Sequence, residues 1–205
     1  MRLFIGIDPG QQGGIGILDQ DNRYFAARRW NRRDPRQLYI LLQSINDLVV
    51  LVYLENINMP PSGEGIENRW SAGSNLLVNS GIWQGWLMAL GLPLVLVPPA
   101  TWQAAHGLYQ WKSRLAKDPD SPTPMTVARG EWPDAPLEFQ ADDGMAVGLL
   151  LAALAFSDAS NGIDRAALQA KAAVKKQMKR RAARDAAKAT RALPGLTGGA
   201  DHGFF

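Results

Sequence analysis

The chain has 205 residues, 46% of them hydrophobic and 20% charged, and it contains no cysteine. This length can bury one sizeable core and predicts one domain plus an appendage. Without cysteine there are no disulfides, thiolate-bound zinc or thiol chemistry, so a catalytic site must use carboxylates, amines, hydroxyls or a hard metal ion. No apolar run of about 18 residues and no signal-peptide pattern is evident, which predicts a soluble intracellular protein.

The formal net charge of +3 is unevenly distributed. Residues 1–163 contain 12 basic and 16 acidic residues, whereas residues 164–205 contain 10 basic and 3 acidic residues. The stretch DRAALQAKAAVKKQMKRRAARDAAKATRAL is rich in Ala, Lys and Arg and has no Gly or Pro, which predicts a basic helix of about eight turns. We therefore expect a main domain over 1–163 and a basic helical tail over 164–205, with a frayed end beyond Leu193.

The first part of the main domain predicts three strands and a helix. The apolar run RLFIGI is typical of a central strand, and GGIGILD and RYFAARRW follow with turn residues between them, which indicates a three-stranded meander. Asp34 and Pro35 then supply an N-cap and a first-turn proline for a helix that ends near Asn46.

The rest of the main domain predicts two more strands and two helices. LVVLVYLE is a fourth strand that ends at Glu55, and NLLVNSGIWQGWLMALG is a buried helix stopped by Gly91. LPLVLVPP is a fifth strand, and ADDGMAVGLLLAALAF is an apolar helix that opens on two carboxylates. This order predicts an α/β fold, a mixed five-stranded sheet flanked by helices.

Acidic residues stand at comparable places in this order. Asp8 ends the first strand, Glu55 ends the fourth, and Asp142 and Asp143 open the last core helix. If strands one and four are neighbours, Asp8 and Glu55 face each other and receive Asp143 from the helix. Such carboxylates repel one another unless a cation lies among them, and oxygen ligands without Cys or clustered His select Mg²⁺ or Mn²⁺.

Each acid also has an ordinary structural interpretation. An Asp before Pro-Gly commonly forms a turn, an Asp at a helix start commonly caps it, and a strand-terminal Glu can simply be solvated. Glu55 fits this interpretation least, because it follows seven apolar or aromatic residues and an unpaired buried carboxylate is costly.

Four stretches, in this order, resemble the RuvC-type Holliday-junction resolvases, especially their bacteriophage-borne branch: IGIDPGQQGGIGILD, VYLENI, WSAGSNLLVNSGIWQGWLMALGLPLVLVPPATWQ and DDGMAVGLLLA. The resemblance covers about residues 1–157. It implies a ribonuclease H-like nuclease domain and a homodimer that makes paired, metal-dependent nicks in four-way and branched DNA. It also implies the cytoplasm of a bacterial or phage-infected cell, with no membrane partner and no small-molecule cofactor.

Matched to the family, Asp8, Glu55 and Asp143 correspond to its metal ligands on the first strand, the fourth strand and the last helix. The family usually has two acids three or four residues apart on this helix. If Asp143 is the first of them, the second position is Val147, and if Asp143 is the second, the first position is Gln140. Neither alignment supplies the second acid. Asp142 is an alternative fourth ligand. Adjacent helix positions point about 100° apart, so the two acids are not expected to bind one ion symmetrically, and which of them binds metal is left open by the sequence.

The chemistry expected of this site is phosphodiester hydrolysis. Two Mg²⁺ or Mn²⁺ ions about 4 Å apart, with Asp8 between them, would bind the scissile phosphate, activate a water and stabilise the departing 3′ oxygen. Lys112 and Lys117, in the polar segment before the acidic helix, are candidates to stabilise the developing charge. Their alternative is a place in a solvated loop.

DNA binding calls for basic and aromatic side chains. In the loop after Glu55, Arg69 is a candidate phosphate contact, and Trp70 either stacks between bases at a branch point or anchors the next helix in the core. Trp83 and Trp86 are expected in the core or at a dimer interface. The other candidate phosphate contacts are Arg114, Arg129, Lys175, Lys176, Lys179, Arg180 and Arg181.

Other functions compete with this interpretation. An actin-like nucleotide-binding protein would also have a glycine turn after the first acid, but that fold duplicates its domain and this chain has one set of strands. A non-catalytic junction-binding relative is the alternative that Val147 raises. A ribonuclease H-like nuclease acting on another substrate, such as an RNA–DNA hybrid, is the third.

Overall fold

A computed structural model describes residues 1–31, 34–57, 67–138 and 142–191, without the side chains of 67–74, 185, 186 and 188–191. Its five strands form one sheet in the order β3-β2-β1-β4-β5. β1 is antiparallel to β2 and parallel to β4, β2 is antiparallel to β3, and β4 is parallel to β5. The predicted mixed sheet is confirmed, and strands one and four are neighbours, which is the condition that the predicted site required. The strands are β1 (Leu3–Asp8), β2 (Gly14–Asp19), β3 (Tyr24–Arg29), β4 (Val49–Glu55) and β5 (Leu94–Val97).

The helices agree with the sequence in part. α1 begins one residue after the predicted proline, with Pro35 as its N-cap, while the Asp34 side chain accepts a hydrogen bond from Gln37 Nε2 at 2.9 Å. α2 begins eight residues earlier than NLLVNSG suggests, and Gly91 follows its end with a φ of +68°. The helices are α1 (Arg36–Ile45), α2 (Glu67–Ala89), α3 (Pro99–Ala105), α4 (Trp111–Leu115), α5 (Pro124–Glu131), α6 (Asp143–Ser160) and α7 (Arg165–Arg191).

The three short helices α3, α4 and α5 occupy the polar segment between β5 and α6, for which the sequence analysis predicted no helix. They are too short for an apolar periodicity, and local capping together with tertiary burial holds them instead. Thr123 caps α5 through a reciprocal hydrogen-bond pair with Thr126. On α3, Trp102 is 2% exposed. Trp111 at the start of α4 packs against the hydrophobic core that contains Trp102, which attaches α4 and its lysine to the main domain.

The sheet separates two hydrophobic cores, because side chains alternate between its faces. On one face, Ile5, Ile7 and Val52 pack with α1 and α2, where Trp83 is fully buried. On the other face, Phe4, Leu18 and Tyr53 pack with the apolar residues of α6. β1 lies at the centre of the sheet, and its residues from Leu3 to Ile7 are all buried.

Glycines let α6 approach β1 and β2 without intervening side chains. A Cβ at Gly6 would lie 2.0 Å from the carbonyl oxygen of Gly148, and a Cβ at Gly16 would lie 2.3 Å from the amide nitrogen of Leu149. Contacts this short exclude any other residue at these two strand positions. At the start of the helix, Gly144 forms a bridge with Gly13, so the first turn of α6 is held beside the turn that follows β1.

α6 is long and apolar enough to cross a membrane, and it is the one helix in the described ranges that passes this test. Asp143 and Asp158 lie within this helix, so it contains no uninterrupted apolar run of 18 residues. In the structure, 67% of this helix is buried within the protein, chiefly by the sheet that it covers.

The chain divides into two compact units, Met1–Ile163 and Asp164–Phe205. The second unit contains α7, which confirms the predicted basic helix. Every side chain from Lys171 to Arg184 is exposed. The predicted fraying beyond Leu193 concerns residues outside the described ranges.

Candidate active site

Asp8 and Glu55 are the last residues of two neighbouring parallel strands, β1 and β4. Ile7 pairs with Leu54 in the parallel β1–β4 ladder, so the next residue of each strand is an acid at the same edge. The Gly10 amide donates a hydrogen bond to Asp8 Oδ1 at 2.8 Å. Asp8 thus forms the turn that the ordinary interpretation proposed, and it also occupies the position that the metal-ligand interpretation requires.

The pKa of Asp8 is raised from 3.8 to about 6. Burial is the largest cause, and the negative charge of Asp143 adds to it, while the Gly10 amide and the positive charge of Lys112 act in the opposite direction. The protonated form is favoured because the carboxylate loses hydration without gaining a full counter-charge.

Glu55 behaves in the same way, with its pKa raised from 4.5 to about 7. Burial is again the largest cause, followed by the charge of Asp8, and the Trp102 hydrogen bond and Lys112 oppose them. Trp102 Nε1 donates to Glu55 Oε1 at 2.8 Å. This contact arises because β5 runs parallel to β4, so α3 begins directly beside Glu55.

Asp143 completes the cluster from the first turn of α6. Its pKa is raised by burial, against the attraction of Lys112, and its charge in turn raises the pKa of both Asp8 and Glu55. We call Asp8, Glu55 and Asp143 the carboxylate cluster. The structure therefore brings together the three acids that the sequence placed at the ends of separate elements.

Asp142, the alternative fourth ligand, has different surroundings. It is 1% exposed, and its Oδ1 is contacted by both Nε and Nη2 of Arg29 on β3. Its Oδ2 accepts a hydrogen bond from the Glu138 amide at 2.9 Å. Val147, where the family usually has an acid, is 6% exposed and packs in the core beneath the sheet. Of the two adjacent acids, the geometry favours Asp143 as the ligand.

The two candidate lysines are also separated. Lys112 lies on α4, and its charge lowers the pKa of all three members of the carboxylate cluster. Its Nζ lies 5.3 Å from the centroid of the Trp111 ring. Both lysines are exposed, and Lys117 follows the end of α4. Of the two, Lys112 is the lysine whose charge acts on the carboxylate cluster.

The candidate DNA contacts have varied positions. Arg69 and Trp70 lie in the first turn of α2, and their side chains are outside the described part of the structure. Arg114 Nη2 donates to the Gly107 carbonyl at 2.7 Å. Arg129 donates to the carbonyls of Leu137 and Glu138 at 2.6 and 2.9 Å, so it secures the segment that precedes α6.

Trp83 and Trp86 belong to an aromatic cluster on the α2 face of the sheet. Trp30 lies 5.1 Å from Trp83 and 5.8 Å from Trp86 between ring centroids, and Tyr39 lies 5.6 Å from Trp86. Trp83 is fully buried. The core placement expected for this residue is confirmed, and it leaves Trp83 no surface with which to contact DNA.

A cleft of about 750 Å³ opens beside the carboxylate cluster at Asp143. It runs between the turn after β1 and the helices α4 and α5. Both apolar and polar side chains line this cleft. Besides Asp143 they are Gln12, Trp111, Leu115, Thr123, Met125, Thr126 and Arg129. A polymer bound at the cluster would therefore have a groove in which to continue.

Two residues that the sequence analysis did not single out donate hydrogen bonds to the carboxylate cluster or to the backbone next to it. Trp102 holds Glu55, as described above. Asn79 on α2 is 1% exposed and donates through Nδ2 to the Pro9 carbonyl at 3.3 Å, next to Asp8. In the sequence, PATWQ directly follows the fifth strand, but only the pairing of that strand with the Glu55 strand shows that Trp102 reaches Glu55. No local sequence pattern marks Asn79.

The carboxylate cluster suits a hard divalent cation. Burial, with a smaller contribution from neighbouring carboxylates, raises the pKa of Asp8 and of Glu55, and a bound cation would favour their charged forms. Within the described ranges, no group of three or more acidic or histidine side chains is close enough to hold one ion directly. Mg²⁺ fits such a site because it usually takes one or two carboxylates and keeps water or substrate phosphate as its other ligands.

No protein-family model matches the chain, and no curated protein matches it. Among solved structures, T. thermophilus RuvC in complex with a Holliday junction substrate is similar with a TM-score of 0.52 at 16% identity, covering 80% of this chain and 98% of that chain. A second Thermus thermophilus RuvC structure has a TM-score of 0.44 at 16% identity, covering 78% and 97%. The chain thus has a RuvC-like, ribonuclease H-like fold, which confirms the fold predicted from its sequence.

Proposed function

We propose that the protein is a structure-selective DNA endonuclease that resolves Holliday junctions and related branched DNA by paired, metal-dependent phosphodiester hydrolysis. The observation that carries this proposal is the carboxylate cluster, in which two central parallel strands and the first turn of α6 direct three acids to one edge of the sheet. The RuvC-like fold supports it. The cell compartment proposed is the cytoplasm of a bacterium or a phage-infected cell.

Asp8, Glu55 and Asp143 would hold Mg²⁺ or Mn²⁺ with one or two carboxylates on each ion, and water or substrate phosphate would supply the other ligands. When bound, such ions neutralise the scissile phosphate, lower the pKa of the attacking water and stabilise the leaving oxygen. The Gly10 amide and the Trp102 indole each occupy one oxygen of Asp8 and Glu55, so the remaining oxygens are left to bind metal. Lys112 supplies a further positive charge for the phosphate in the transition state.

The cleft beside Asp143 gives the cleaved strand a path away from the cluster. Trp111 and Met125 offer apolar surface to a base or sugar, and Gln12 and Arg129 add polar groups. Paired nicks require two such sites, and we propose that two copies of the chain supply one each, as a homodimer whose symmetry matches that of a four-way junction.

Cleavage of a labelled four-way junction tests the proposal, with a linear duplex and an RNA–DNA hybrid of the same sequence beside it. The reactions contain Mg²⁺, Mn²⁺ or EDTA. We expect symmetric nicks in the junction alone, dependent on metal and reduced at least about 10³-fold in Asp8→Asn, because that change removes a metal ligand.

Asp19→Asn is the matched control. Asp19 also ends a strand and accepts backbone hydrogen bonds in the following turn, at 2.8 and 2.9 Å. It lies at the opposite end of the β1–β2 ladder from Asp8. This variant should cleave like the wild type. Tight junction binding without cleavage in any metal would support the non-catalytic relative that the buried Val147 raises, and cleavage of the hybrid alone would identify a different substrate.

A further inference from the structure

The basic helix α7 carries positive charge that the proposed chemistry does not use. Ten of its 27 residues are Lys or Arg and one is acidic. By contrast, residues 1–163 have an excess of four acidic residues, and a negatively charged body is repelled by a polyanion. The favourable long-range attraction for a nucleic acid therefore has to come mainly from the second unit.

The cations of α7 point in nearly every direction around its axis. At about 100° per residue, the seven cations between Lys171 and Arg184 leave one narrow strip, which carries Val174 and Met178. Those two side chains are 56% and 68% exposed. The seven cations are Lys171, Lys175, Lys176, Lys179, Arg180, Arg181 and Arg184.

This distribution fits a phosphate backbone better than a lipid surface. Helices that lie on membranes present a wide apolar face with Trp, Phe or Leu opposite their basic face. α7 has no aromatic residue, and its large apolar side chains are Leu168, Val174 and Met178. At about 1.5 Å per residue its 27 residues extend about 40 Å, comparable with one turn of a DNA duplex.

Self-repulsion within α7 favours an anionic partner as well. Lys171 and Lys175, Lys175 and Lys179, and Arg180 and Arg184 are like-charged pairs four residues apart, and such pairs weaken a helix that stands alone. Phosphates bound between these side chains would remove the repulsion and stabilise the helical form.

The likeness to a solved structure leaves part of this chain without a counterpart. The match to T. thermophilus RuvC covers 98% of that chain with 80% of this one, so about 41 of the 205 residues are not covered, close to the 42 residues of the second unit. The uncovered length is thus similar to the length of the basic tail.

The charge, exposure and length of α7 point to a tether for duplex DNA that binds the sugar–phosphate backbone without reading sequence or junction shape. This inference rests on the proposed nuclease function for its choice of DNA as the polyanion. The tether raises the affinity for any duplex arm, whereas junction selectivity and chemistry remain with the first unit.

The test uses the full-length protein with five central cations replaced by glutamine, which has a similar helix propensity. The changes are Lys175→Gln, Lys176→Gln, Lys179→Gln, Arg180→Gln and Arg181→Gln. A charge-preserving variant with Lys175→Arg, Lys176→Arg and Lys179→Arg is the matched control. Dissociation constants for a four-way junction and a linear duplex are measured in EDTA over about 50–200 mM salt, a range in which phosphate binding is strongly weakened.

We expect the glutamine variant to bind both DNAs at least about tenfold more weakly at low salt. The slope of log K against log salt should become shallower by up to about 0.9 for each phosphate that the variant no longer neutralises. The arginine control should match the wild type. The ratio of junction to duplex affinity should not change.

An unchanged salt slope in the glutamine variant, with helicity preserved by circular dichroism, would overturn the tether. So would a loss of binding confined to phosphatidylserine vesicles, or a change of oligomeric state without a change in DNA affinity. The two proposals can fail separately. If the salt slope becomes shallower but the protein cleaves no junction, the tether is supported and the nuclease proposal is contradicted. If the protein cleaves junctions and the salt slope is unchanged, the nuclease proposal is supported and the tether is contradicted.

Discussion

Asp142 and Asp143 are neighbours in the chain, yet they belong to two different regions of the protein. At the β3 edge, Asp142 is fully buried and paired with Arg29 and the Glu138 amide. At the β1–β4 end, Asp143 joins Asp8 and Glu55 in a cluster with more negative charge than its surroundings neutralise. The first region neutralises its carboxylate with a cationic side chain, and the second places three carboxylates near one another, as the proposed metal site requires.

The strongest test of this comparison is the pair Asp142→Asn and Asp143→Asn. Asp143→Asn should reduce metal-dependent cleavage at least about 10³-fold and leave the fold as stable or more stable, because it removes a metal ligand and a repelling charge. Asp142→Asn should destabilise the fold by about 1.5–3 kcal/mol, the range for a hydrogen bond to a charged group. Because Arg29 is 47% exposed, the lower half of that range is the better expectation.

Urea unfolding and isothermal titration with Mn²⁺ measure the two effects separately. Metal affinity should fall in Asp143→Asn and stay near the wild-type value in Asp142→Asn. The opposite result would show that Asp142 is the helix ligand and that Asp143 is the acid that stabilises the fold.

Trp102→Phe sharpens the comparison within the cluster. It keeps an aromatic ring in the core and removes the indole donor to Glu55, so Glu55 loses a fixed orientation. We expect cleavage to require about 10- to 100-fold more Mg²⁺, the size of effect that follows the removal of a partner that orients a metal ligand. Mn²⁺ affinity in the absence of DNA should fall in parallel.

Trp132→Phe provides the control for a change in packing. Trp132 is 4% exposed and donates Nε1 to the Asn22 carbonyl at 3.0 Å, so it has similar burial and one hydrogen bond away from the cluster. Both variants should lose a similar, small amount of stability. Equal metal affinities in the two variants would mean that Trp102 is a core residue only.

The smallest expected effect is a pH dependence of stability. Because the folded protein raises the pKa of Asp8 to about 6 and of Glu55 to about 7, it binds protons more tightly than the unfolded chain. The associated stability is present below about pH 4 and is lost as the pH rises through about 6 and 7. Mg²⁺ binds the deprotonated carboxylates, so its stabilising effect should be larger at about pH 8 than at about pH 5.

Thermal unfolding with and without Mg²⁺ measures this effect as a shift of a few °C in Tm, as expected for about 1 kcal/mol in a protein of this size. The double variant Asp8→Asn, Glu55→Gln should show a smaller dependence on both pH and Mg²⁺. A Mg²⁺ shift of the same size in the acidic and the alkaline buffer would indicate that the ion binds elsewhere.

Much of the site could be predicted because its residues end well-marked elements. RLFIGI and LVVLVYL are apolar runs of strand length, and each is followed directly by an acid, which places Asp8 and Glu55 at strand ends without any knowledge of the fold. Asn79 and Trp102 could not be found in this way. Their roles depend on which strand end lies against each helix, and that is a long-range property.

The sequence by itself determined the strands, the long helices, the concentration of positive charge in the tail and the set of acids among which the site had to be found. These follow from periodicity, capping and composition, which act over neighbouring residues. Only the tertiary structure decided that Asp143 and Lys112, and not Asp142 and Lys117, reach the site. Side chains that are close along the chain point in different directions, and the packing of α6 and α4 against the rest of the domain selects one direction for each.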